Sequence, residues 1–177
     1  MSSRFERVDA QIEFEGTIFT VRTGTFRHED GAEVTRDWVE HKGAVGVVAH
    51  DGEHVFLVRQ PREAVGAPDL LEIPAGKLDV DGEAPLETAR RELAEEIGKA
   101  AEAWEPLTRF YTSPGFTTEE IHLFLATGLS DVQQPEVDED ERIELVVCPL
   151  AELDGLIGEV RDSKTLIGLL ELRRRLD

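Results

Sequence analysis

The chain has 177 residues, 40% of them hydrophobic, and sets 19 lysines and arginines against 38 aspartates and glutamates for a formal net charge of −19. That length fits one domain with a respectable core, no apolar run approaches the roughly 18–20 residues of a membrane span, and the opening MSSRFERVDA lacks the apolar stretch of a signal peptide. The acidic balance argues against nucleic acid, whose phosphates need a basic footprint, and Cys148, the one cysteine, leaves no internal disulfide and suits a reducing cytoplasm.

From Ile12 to Lys42 the pattern predicts two or three strands: Ile18 to Arg27 is β-rich, Asp30-Gly31 supplies a hairpin turn, and Glu33 to Glu40 returns. Phe26 and Trp38 read as core or subunit packing, and Arg36, alone on its strand, as a solvated charge. Ala44 to His50 and His54 to Arg59 flank Asp51-Gly52 as a second hairpin, apolar and β-branched enough for central strands. Arg59 and Arg62 stand at and just beyond that strand's end, where two guanidinium groups suit a diphosphate through bidentate hydrogen bonds. Leu70 to Pro74 is a short strand running into Ala75-Gly76. There a glycine permits close backbone approach, and a free carbonyl can serve as a metal ligand.

The following stretch predicts a helix ending at Gly98, with Leu86, Ala89, Leu93 and Ile97 on an apolar face. Glu92, Glu95 and Glu96 fall at i, i+3 and i+4 and share the other face. Like charges so placed repel by a few tenths of a kcal/mol per pair. Two explanations stay open: a solvated acidic face laced by Glu87–Arg91 and Arg91–Glu95 pairs, or a site for a divalent cation with hard oxygen ligands.

Beyond the helix, Glu105 to Thr112 reads as a strand, Ser113-Pro114-Gly115-Phe116 as a loop, and Glu120 to Thr127 as a strand carrying His122. Pro135 to Glu144 holds six acids in ten residues, either a solvated loop or one that delivers a general base. Glu144 to Cys148 closes the sheet, with Cys148 a buried thiol. Two helices follow, Leu150 to Val160 and Ser163 to Leu176. Asp162 is the second one's N-cap, Leu166, Ile167, Leu169, Leu170 and Leu172 its core face, and Arg173 to Arg175 lie favourably at its C-terminus.

The segment GKLDVDGEAPLETARRELAEEIG, residues 76–98, resembles the Nudix box, G-x5-E-x7-R-E-U-x-E-E-x-G-U with U a bulky aliphatic. Glu83, Arg91, Glu92, Leu93, Glu95, Glu96 and Gly98 match. Six residues rather than five separate Gly76 from Glu83, an insertion within loop, and Lys99 stands where an aliphatic is usual. The run from Glu72 to Leu78 is similar to the E-[IL]-P-A-G-x-[LI] of ADP-ribose pyrophosphatases. So is the V-R-Q-x-R of Val58 to Arg62, and Pro114 lies 16 residues past Gly98, a mark of that subfamily.

The resemblance implies an α/β chain, a Nudix-type α/β/α sandwich with a mixed central sheet and an N-terminal antiparallel sheet used in dimerisation. Residues 1–42 would form that sheet region, part of the same compact unit as a hydrolase domain over 43–177. It implies two or three Mg²⁺ ions, with Mn²⁺ as the alternative, held by Glu92, Glu95, Glu96, the Ala75 carbonyl and Glu141. Arg91 would hold the glutamates in place, with Glu83 in support. Glu139 would be the general base from an E-x-E loop, with Glu141 its auxiliary or replacement. Arg62, Arg59 and, across the dimer, Arg36 would contact phosphates; Glu72 would support the site and Pro114 mark specificity. The implied reaction is hydrolysis of ADP-ribose to AMP and ribose 5-phosphate by a cytoplasmic homodimer with no nucleic-acid or membrane partner. The alternatives are another nucleoside diphosphate derivative, such as a GDP-sugar, NADH or FAD, or a non-catalytic ADP-ribose sensor.

Overall fold

A computed structural model describes residues 4–134 and 142–176. The chain divides into two units, one of residues 1–43 with 111–120, the other of residues 44–110 with 121–177.

In the first unit, strand β3 (Thr20–His28) is the axis of an antiparallel sheet. Strands β1 (Phe5–Arg7) and β2 (Gln11–Glu15) pair with its two halves along one edge, and β4 (Glu33–Glu40) runs along the other. The β3–β4 turn falls at Asp30-Gly31 as the sequence predicts, with Gly31 at φ +82°. Phe26 stands edge-on to both Phe5 and Trp38, at 5.7 Å between ring centroids in each case. The segment carrying Pro114 to Thr118 folds against β4: the Val39 N–H donates to the Phe116 carbonyl (2.7 Å), and the Thr118 N–H to the Val39 carbonyl (3.0 Å).

The second unit is built on a mixed sheet of β5 (Ala44–His50), β6 (His54–Arg62), β7 (Ala67–Glu72), β8 (Ala75–Lys77), β9 (Lys99–Tyr111), β10 (Glu120–Asp131) and β11 (Glu144–Pro149). β5 and β10 pair in parallel, and the other registered pairs are antiparallel. Because side chains alternate along a strand, the apolar residues of β5, β6 and β10 divide between two faces. Val45, Val47, Phe56, Val58, Phe124 and Ala126 pack with helix α1 (Pro85–Ile97). Val48, Val55, Leu57, Leu123 and Leu125 pack with α2 (Leu153–Glu159) and α3 (Ser163–Leu176). Continuous apolar strands are what a sheet covered on both faces demands.

Several sequence expectations need correction. β9 starts at Lys99 rather than Glu105: Lys-Ala-Ala-Glu-Ala lacks the β-branched residues that signal a strand, and pairing with β10 supplies what propensity does not. β6 continues past Arg59 to Arg62, with a register shift between Gln60 and Arg62 around Pro61, which has no N–H for the ladder. The segment after Pro74 is itself a strand, pairing with β5. Residues 150–152 form a 3₁₀ turn before α2 begins. Leu170 is exposed, since Thr165, Leu169 and Leu172 take the inward face of α3. No helix among the described residues is long and apolar enough to cross a membrane.

Candidate active site

In α1, Pro85 sits at the first turn, where its missing N–H is no loss. Gly98 ends the helix in the left-handed conformation (φ 63°), its N–H donating to the Ala94 carbonyl at 3.0 Å. Ala89, Leu93 and Ile97 are buried as the spacing predicts, and this seats the acidic face beside β8. Contact there is intimate: a Cβ added at Gly76 would lie 1.9 Å from the Glu92 carboxylate. The Ala75 N–H donates to Glu96 Oε2 at 3.0 Å, and Glu96 is itself buried. Only a glycine at position 76 lets the strand approach the carboxylates this closely.

Arg91 lies among the acids. Its Nη1 is 2.9 Å from Glu92 Oε1 and 2.8 Å from Glu95 Oε2, and its Nη2 is 3.4 Å from Glu83 Oε2 and 4.0 Å from Asp79 Oδ1. Burial pulls its pKa down, but the hydrogen bond to Glu83 and the charges of Glu92 and Glu95 outweigh that and hold it well above its ordinary value. The Arg91–Glu95 pair is as the sequence predicts, whereas Glu87 faces Arg90 at 3.6 Å instead. Thr88 Oγ1 donates to Glu83 Oε2 at 2.8 Å and fixes that second acid.

Glu92, Glu95 and Glu96 on a rigid helix, with Glu83 just before it and a glycine cradle opposite, are a donor set that fits a hard divalent cation. As placed, they turn toward Arg91 and the Ala75 amide, and among the described residues no three acidic, histidine or cysteine side chains are gathered to hold an ion.

A second cluster joins β6, β7 and α3. Glu72 is 1% exposed and accepts two hydrogen bonds from Arg62, from Nε at 2.6 Å and Nη2 at 2.9 Å, and another from Lys164 Nζ. Burial pushes the Glu72 pKa up, but Arg62 and Lys164 prevail and hold it below the ordinary carboxylate value. The hydrogen bond from Arg62 to Glu72 likewise raises the guanidinium above its usual value. Lys164 also pairs with Asp162 Oδ2 at 3.0 Å, and Asp162 caps α3 by accepting from the Thr165 N–H at 2.9 Å. Sequence reasoning missed Lys164; its signal was no more than a lysine two residues past a capping aspartate. Arg59 donates to the Asp69 carbonyl at 3.2 Å, and its guanidinium is 3.9 Å from the Asp69 carboxylate.

Arg36 and Pro114 belong to the first unit, where they line a pocket of about 510 Å³ together with Phe5, Phe26, Trp38 and Phe116. Glu139 and Glu141 lie outside the described residues.

A family model described as the NUDIX domain matches residues 40–167. The chain belongs to the Nudix family. It is 40% identical over 170 residues to the ADP-ribose pyrophosphatase of Mycobacterium tuberculosis (strain ATCC 25618 / H37Rv), a match covering 94% of this chain and 82% of the relative. It is 35% identical over 190 residues to the GDP-mannose pyrophosphatase of Cronobacter sakazakii (strain ATCC BAA-894), covering 99% and 98%. Among solved structures, the crystal structure of an ADP compounds hydrolase superposes with a TM-score of 0.84 over 98% of this chain and 94% of that one, at 23% identity, a likeness of fold. With its box glutamates intact, the protein is a Nudix hydrolase, and the sensor alternative falls away.

Proposed function

We propose that this Nudix hydrolase cleaves the diphosphate of ADP-ribose, giving AMP and ribose 5-phosphate, with two or three Mg²⁺ ions or with Mn²⁺. The observation that carries the chemistry is the α1 carboxylate cluster, pressed against Gly76 and tied to the Ala75 amide. Glu92, Glu95 and Glu96, with the Ala75 carbonyl, would hold the metal, which when bound neutralises the diphosphate and lowers the pKa of the attacking water. Glu139 takes the water's proton, with Glu141 as its auxiliary. The water oxygen bonds to one phosphorus, and the bridging P–O bond to that phosphorus breaks, so the bridge oxygen departs with the other phosphate. Arg91 keeps the glutamates gathered, and Arg62 grips phosphate oxygens.

ADP-ribose is favoured by the M. tuberculosis relative and by Pro114, 16 residues past Gly98. In the first unit, the aromatic pocket with Phe26 and Trp38 suits a flat nucleobase, and Arg36 is its candidate phosphate contact. The lone Cys148, whose thiol pKa burial raises, accords with a reducing cytoplasm. The C. sakazakii relative supports a second reading, a GDP-sugar substrate.

The test is phosphate release in the presence of alkaline phosphatase across ADP-ribose, GDP-mannose, NADH and FAD with Mg²⁺, because the intact substrates resist the phosphatase and their products do not. The expected outcome is a higher kcat/KM for ADP-ribose than for the rest. A preference for GDP-mannose replaces the substrate assignment and keeps the site; no hydrolysis of any of them overturns the proposal.

A further inference from the structure

The first turn of α3 holds the strand that feeds the site at two points. Thr165, fully buried, accepts the Ile73 N–H at Oγ1 (2.9 Å) and gives its hydroxyl proton to Asp162 Oδ2 (2.6 Å). One residue earlier, Lys164 gives its ammonium both to the buried Glu72 carboxylate and to Asp162. Glu72 in turn grips Arg62 through Nε and Nη2 together, a fork that fixes the guanidinium plane. Glu72 and Lys164 are nearly closed to solvent, at 1% and 13% side-chain exposure, while Arg62 is 43% exposed. The chain Asp162–Lys164–Glu72–Arg62 therefore runs from the interior to an accessible cation whose Nη1 edge Glu72 does not engage. A carboxylate this buried needs its charge balanced and its lone pairs filled. Arg62 alone fills only one side of Glu72. Were it the sole partner, any shift of Arg62 toward a ligand would strip the carboxylate of its counter-charge.

We propose that Lys164 is a positioning residue for substrate: by holding Glu72 in place and sharing its charge, it sets the Arg62 guanidinium and frees its outer edge for an anionic group of the substrate. The inference rests on the reading above that Arg62 binds the diphosphate, and the test separates the two.

Lys164→Met, Arg62→Ala and the double variant are compared by kcat, KM and thermal midpoint with ADP-ribose, and with GDP-mannose in parallel. Lys164→Met is expected to lower kcat/KM by about 10-fold or more, the scale seen when groups behind a site's contact residues are removed. The loss should fall mainly on KM, and Lys164→Arg should restore most of it. In the Arg62→Ala background, Lys164→Met should cost less than twofold further, because its effect passes through Arg62. If Lys164→Met does not fold, Lys164→Gln, which keeps a donor without the charge, takes its place in the cycle. A lowered thermal midpoint with wild-type kcat/KM would make Lys164 a structural clasp only and overturn the inference while leaving Arg62's role intact. Full additivity with Arg62→Ala overturns it equally. Wild-type kcat/KM in Arg62→Ala itself removes the reading of Arg62, and this inference with it.

Discussion

Gly76 is the residue at which the site is least tolerant. A Cβ there would lie 1.9 Å from the Glu92 carboxylate, which would have to swing aside. Gly76→Ala should therefore force Glu92 out of the cluster and lower kcat by about 10²-fold, the cost of misplacing a catalytic group by an ångström or so. Turnover near wild type in Gly76→Ala would show that Glu92 is not needed where it stands. Glu139→Gln should reduce kcat by about 10²-fold or more; if Glu141→Gln is the damaging change instead, the two roles exchange. Spacing alone showed Glu92, Glu95 and Glu96 on one face, because a helix fixes angular position whatever surrounds it. It showed the Arg91–Glu95 pair, but not that the same guanidinium would also take Glu83 and Asp79, which reach it from a loop whose course no periodicity encodes.

Helix α3 turns Thr165, Gly168, Leu169 and Leu172 into the second unit's interior. It lies close on the sheet because residue 168 is glycine, where a Cβ would come within 2.7 Å of Val48. Its N-terminal turn neutralises Glu72, and this has a signature in acid. The folded-state pKa of Glu72 is depressed below its unfolded value, so the stability it contributes is fully present above the unfolded value and is lost as pH falls through the folded one. Below about pH 4, where free carboxylates titrate, the thermal midpoint of wild type should fall more steeply than that of Glu72→Gln; parallel acid limbs would show that Glu72 is not held ionised. The C-terminal end of α1 and the β5–β6 hairpin were legible in the sequence, since both rest on local signals, Gly98 and Asp51-Gly52. The start of β9, the strand at Ala75 and the exposure of Leu170 were not, because each is decided by a partner distant in the chain.

At the scale of the whole molecule, the net charge of −19 and an apolar surface on the N-terminal sheet pull in opposite directions. Ile12 and Phe14 on β2 are 51% and 56% exposed and Phe5 63%, a concentration that ordinarily marks an association surface. We expect a homodimer through this sheet. Light scattering should give twice the chain mass, and Phe14→Asp should return the mass to that of one chain. A wild-type monomer at micromolar concentration would remove the N-terminal sheet from any role between subunits.

The clasp between Lys164 and Glu72 spans 92 positions, as does that between Thr165 and Ile73. At roughly 5–20 residues per second, translation leaves Glu72 waiting roughly 5–20 s for α3. A nascent chain thus carries the box helix well before it carries the lysine that steadies Arg62. Until α3 docks, the Glu72 carboxylate lacks the ammonium that balances it and the Ile73 N–H lacks its buried acceptor.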